Sequence, residues 1–163
     1  MDTMLTQLNI MLDGLKKKEQ ALADILNISE NQKTVLQSEL PLEESRSIVF
    51  EMNEGKQAAI KIVKDCDNMF EAMLKDIGAD LDARQDMYKP QVKVLQEHIR
   101  RIMDLDVKIR VTEDENNRLL DGKREGALPN QPPSQGIKPK VTMPTNSANV
   151  IKAYKEGSKS FKG

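Results

Sequence analysis

The chain has 163 residues, 38% hydrophobic and 31% charged, with three Phe, two Tyr and no Trp. That is lean for a compact α/β domain and suits long helices that bury one stripe and solvate the rest. The net charge of -1 hides an asymmetry: residues 1–125 hold 19 Lys+Arg against 25 Asp+Glu, whereas 126–163 hold six lysines and one glutamate. An acidic body carries a basic tail, which gives the tail a role of its own.

Three and four residues taken alternately from Leu5 pick out Leu5, Leu8, Leu12, Leu15, Glu19, Leu22, Leu26, Ser29, Lys33, Leu36 and Leu40, of which eight are leucine. Such steps keep side chains on one side of a helix, so a long amphipathic helix with a coiled-coil-like seam is predicted over 3–38, capped by Asp2 or Thr3. A stripe of that length needs partners. Pro41 disfavours helical geometry at Leu40 and suits a new helix start, with Glu43 and Glu44 favourable in its first turn. The second helix, 41–77, has the stripe Leu42, Ser45, Val49, Met52, Lys56, Ala59, Val63, Cys66, Phe70, Met73 and Ile77. Gly78 reads as its cap.

A third helix over 81–121 follows, with Pro90 as the alternative start to Asp80. Its stripe is Val92, Leu95, Ile99, Ile102, Asp106, Ile109, Glu113, Asn116 and Leu120, and Gly122 with Lys123 and Arg124 closes it. Short connections between long helices favour antiparallel neighbours, so the fold class is all-α: an elongated antiparallel three-helix bundle or coiled coil over 1–125. Residues 126–147 hold five of the seven prolines and read as a flexible linker. Residues 148–163 return apolar groups, Val150, Ile151, Tyr154 and Phe161, with Lys152, Lys155, Lys159 and Lys162 between them. This is a short amphipathic segment of the kind that presents a recognition peptide.

The residues for catalysis are missing. Cys66 and His98 stand far apart in sequence, Cys66 on the second stripe and His98 beside the third, and nucleophilic catalysis needs them adjacent with a third orienting group. One Cys and one His provide no zinc spacing, and the eight glycines are scattered singly, so no phosphate loop is present. Asp65 and Asp67, Asp104 and Asp106, and Glu113 and Glu115 are each two apart on a helix, point in different directions and read as solvated faces. An acidic body with one Tyr and one Phe in its basic tail is a poor nucleic-acid binder. The lone cysteine fits a reducing compartment, no run approaches the ~18 apolar residues of a membrane span, and Met1-Asp2-Thr3 does not open a signal peptide. The expectation is a cytoplasmic, non-enzymatic protein with no cofactor, no metal and no stable membrane insertion, working by surface recognition.

The segments Glu30-Asn-Gln-Lys-Thr-Val-Leu36, Leu42-Glu-Glu-Ser-Arg46, Gly55-Lys-Gln-Ala-Ala-Ile60, Glu115-Asn-Asn-Arg-Leu-Leu120 and Ala153-Tyr-Lys-Glu-Gly157, in this order, resemble the flagellar type III export chaperones of the FlgN kind, with FliT-like proteins as relatives in character. The resemblance implies a chaperone that binds hook–filament junction or cap subunits and delivers them to the export gate. It maps the gate-contacting tyrosine onto Tyr154. It also places client contact at Leu119 and Leu120 and on the apolar face of the tail, Val150, Ile151 and Phe161. The alternative from the residues themselves is an adaptor or structural coiled coil that self-associates through the Leu5–Leu40 seam.

Overall fold

The computed structural model describes residues 2–127, and these form three helices: α1 (Thr3–Gln37), α2 (Leu42–Ala83) and α3 (Lys89–Ala127). Among the described residues there is no strand. The expected linker from 128 onward and the terminal segment with Val150, Ile151, Tyr154 and Phe161 lie outside them. At about 1.5 Å per residue, each helix is roughly 50–65 Å long.

Asp2 caps α1, its carboxylate accepting from the Leu5 backbone N–H at 3.3 Å. Ser38 ends that helix, its hydroxyl donating to the Val35 carbonyl at 2.5 Å. Pro41 then occupies the cap position of α2, one residue before the helix, with Glu43 and Glu44 in the first turn.

The second boundary differs from the expected one. Gly78 does not end α2; the helix continues to Ala83, and the turn Arg84–Tyr88 leads into α3 at Lys89. Two magnitudes explain this. An interior glycine costs about 1 kcal/mol relative to alanine, whereas burying a leucine contributes about 1.5–3 kcal/mol. The seam runs on from Ile77 to Leu81, and both are buried, so continuing the helix wins. Pro90, the alternative start, falls in the first turn of α3, where a missing N–H costs nothing. The far end of α3 also overruns its expected stop, passing through Gly122 to Ala127. No proline interrupts the chain until Pro129.

A test follows from the Gly78 correction. Gly78 has right-handed backbone geometry, and a Cβ added there meets nothing within 4 Å. Gly78→Ala is expected to stabilise the protein by about 0.5–1 kcal/mol in urea unfolding. A left-handed cap at this glycine would give a loss instead.

Contacts fix the helix directions. Gly14, Lys18 and Gln32 of α1 meet Met69, Asp67 and Asn53 of α2, so the two run in opposite senses. Asp2, Glu19, Ser29 and Ser38 meet Tyr88, His98, Asn116 and Lys123, so α3 runs parallel to α1. The backbones of α2 and α3 both lie along α1 and approach one another at few places. The leucine-rich helix is therefore the middle element, and it buries two stripes rather than one. Leu8, Leu15, Leu22, Ser29 and Leu36 form the expected stripe, while Met4, Met11, Lys18, Ile25 and Gln32 form a second at seven-residue spacing.

The apolar core is one cluster from all three helices. It runs from Met4 to Ile25 on α1, Ala59 to Leu81 on α2, Tyr88 in the turn and Leu95 to Ile109 on α3.

Candidate functional site

Two of the sequence-predicted contact residues fall within the described structure. Leu119 and Leu120 lie about two turns before the end of α3, both half-buried, toward the end where the tail begins. The other four, Val150, Ile151, Tyr154 and Phe161, lie outside the described residues.

The surroundings of Leu119 and Leu120 are polar. Beyond Ile25, Ala59 and Ile109 the buried side chains are Ser29, Gln32, Ser45, Lys56, Thr112 and Asn116, with Leu36 the one buried apolar group among the described residues. The Ser29 hydroxyl donates to Glu113 Oε1 at 2.6 Å, and Lys56 forms an ion pair with the same carboxylate oxygen. Lys56 Nζ also donates to Gln32 Oε1 at 2.7 Å. Gln32 Nε2 in turn donates to Asn53 Oδ1 at 2.8 Å and to the Val49 carbonyl at 3.1 Å. Asn116 Nδ2 donates to the Ser29 carbonyl at 3.0 Å. Farther out, Lys33 pairs with Glu115, and Lys123 Nζ donates to the carbonyls of Ser38 (2.9 Å) and Leu40 (2.6 Å) just past α1. A lysine at a helix C-terminus also suits the helix dipole.

The acidic pairs are not simply solvated faces. Asp67 is buried and receives Lys18 Nζ at 2.6 Å in the middle of the core, where Lys18 is only 1% exposed. Burial pushes the Lys18 ammonium below its ordinary value of 10.5, and Asp67, helped by Asp106, pulls it partly back. Asp106 is buried and paired with Arg110 at 2.9 Å. Residues two apart do point in different directions, but Asp67 and Asp106 each turn inward to a cation on a neighbouring helix or turn, and Glu113 and Glu115 each reach a lysine on another helix, Lys56 on α2 and Lys33 on α1.

The nucleophile candidates stay separate. Cys66 is buried on the α1–α2 side, and burial pushes its thiol up. His98 Nδ1 lies 2.7 Å from Glu19 Oε2 across the α1–α3 seam. No group of three or more His, Cys, Asp or Glu among the described residues could hold a metal, and no described helix is long and apolar enough to cross a membrane.

Sequence reasoning missed two surface features. A groove of about 680 Å³ runs between α1 and α2, lined by Ile10, Ala21, Ile62 and Met69, with Asp13, Asp24 and Asp65 among its charged groups. Ile10 and Ile62 are 45% and 47% exposed. Gly14 lets the helices meet at its floor, since a Cβ there would run into Met69 Cε. Phe50 on α2 is 74% exposed. The available signal was that these apolar residues fall off the three-and-four spacing of their helices.

It also missed Tyr88, which is buried and donates to Asp2 at 2.9 and 3.1 Å. This bond holds Asp2 below its ordinary 3.8 and raises Tyr88 above its ordinary 10.0. Asp2's share of stability is complete above 3.8 and is lost as pH falls through its lowered value. Tyr88's share is complete below 10.0 and is lost as pH rises through its raised value. The melting difference between wild type and Tyr88→Phe is thus expected to be flat between pH 3.8 and 10.0 and to shrink outside that window. A difference that varies steadily across neutral pH would contradict the assignment.

Comparison with known proteins finds no matching family model, no matching curated protein and no matching solved structure.

Proposed function

We propose that this chain is a cytoplasmic, non-enzymatic export chaperone of the flagellar type III system. It binds amphipathic terminal helices of hook–filament junction or cap subunits and hands them to the export gate. The observation that supports this reading most is the uneven bundle. Its apolar core stops at Ile109, and Leu119 and Leu120 sit half-exposed beyond it, next to a tail whose sequence carries Val150, Ile151, Tyr154 and Phe161. Client ends that would otherwise self-associate are covered by a helix-in-groove complex at that end, and Tyr154 contacts the gate. Delivery is a binding cycle and needs no cofactor. The leucines that would zip two copies together, Leu8, Leu15, Leu22 and Leu36, are already buried within one chain, which weighs against a self-associating adaptor.

The test is a pull-down of purified junction and cap subunits with the intact chain and with a version ending at Gly126. Capture by the intact chain, and loss on truncation, supports the proposal. Recovery of the chain only with itself returns the adaptor reading. Tyr154→Ala is expected to leave helicity and melting unchanged while weakening gate binding, and a large fall in melting temperature would place Tyr154 in a core instead.

A further inference from the structure

The two parts of the bundle are held by different chemistry, and α3 passes from one to the other within a single turn. Up to Ile109 it is fixed by Leu95, Ile99, Ile102, Met103 and Ile109 in the shared apolar cluster. From Thr112 onward the buried described side chains of α3 are the polar Thr112 and Asn116, Leu119 and Leu120 are half-buried, and polar bonds tie the helix to its neighbours. Glu113 binds Ser29 and Lys56, Glu115 binds Lys33, Asn116 binds the Ser29 carbonyl and Lys123 binds the two carbonyls past α1. Asn116 Oδ1 is buried with no hydrogen-bond partner among the described residues. A polar group released from such a contact regains its bonds from water, whereas a released leucine or isoleucine gains nothing comparable.

We infer that α3 from Thr112 to Ala127 detaches from α1 and α2 as a unit while the apolar part of the bundle stays folded. The detached piece is about 16 residues long, and most helical stability in a protein comes from packing, so once released it frays from its free end and its amides open to exchange. The opening uncovers Leu36 and the inner sides of Leu119 and Leu120, which places a transient apolar surface beside the tail. Lys56 and Lys33 lose their carboxylate partners at the same moment, so the uncovered face is basic as well as apolar. This device stands whether or not the chain is an export chaperone.

Hydrogen–deuterium exchange on the full chain tests it directly. Amides of residues 113–125 are expected to exchange at least about tenfold faster than those of 95–109 on the same helix. Equal rates along the whole of α3 would overturn the inference. Lys123→Ala and Glu113→Ala provide a second arm. Each should speed exchange of 113–125 while leaving 95–109 at its wild-type rate. Acceleration of both segments together would show that α3 leaves only when the whole bundle unfolds, and would also overturn it.

Discussion

Lys18→Met is expected to destabilise the fold by about 3–5 kcal/mol, because it removes the cation from a buried ion pair and leaves its carboxylate partner in the core. The pair lies inside the apolar cluster: Lys18 Nζ is 2.6 Å from Asp67 Oδ1, both side chains are nearly inaccessible, and the buried Asp106 also draws on the same ammonium. The double replacement Lys18→Met with Asp67→Leu should recover most of that loss, since buried pairs exchanged for well-packed apolar groups are often neutral or stabilising. Urea unfolding of the four members of the cycle measures both statements. If the double variant is as unstable as the single one, the lysine is acting by packing or through Asp106 rather than through Asp67.

Leu22→Ala should cost about 2–5 kcal/mol, the transfer term plus the cavity. Leu22 has no exposed surface and sits on the middle helix, within the shared apolar cluster. Leu119→Ala and Leu120→Ala, at the polar end, should each cost less than about 1 kcal/mol. Thermal or urea unfolding gives the comparison, and similar losses at all three positions would refute the division of the bundle into unequal parts.

Much of this fold was legible in periodicity. Every position of the stripe from Leu42 to Ile77 is buried or half-buried, as is every position from Val92 to Leu120. Leucine spacing identified one face of the first helix and missed the other, because Lys18 and Gln32 interrupt the Met4–Met11–Ile25 series and a buried lysine looks solvated in sequence. Gly78 misled for a similar reason. A glycine's local signal is about as strong as one helix-propensity step, and the buried Leu81 beyond it, which continues the seam from Ile77, outweighed that signal. The polar inward groups of α3 were readable as a weak seam at Asp106, Glu113 and Asn116. Their partners were not, since nothing local links Glu113 to Ser29 and Lys56 on two other helices. The tail residues singled out by sequence lie beyond Ala127, where the described structure stops.

The central placement of α1 has a consequence for how this sequence can drift. α2 and α3 each rest mainly on α1 and turn broad faces to water, where substitutions are nearly free. α1 is clasped on two sides, with Leu8, Met11, Leu15 and Leu22 all but sealed, so few of its positions can change without a compensating change on one neighbour or the other. Divergent relatives should therefore share most of their remaining likeness in the first 37 residues. A comparison weighted toward the longer second and third helices would pass them over.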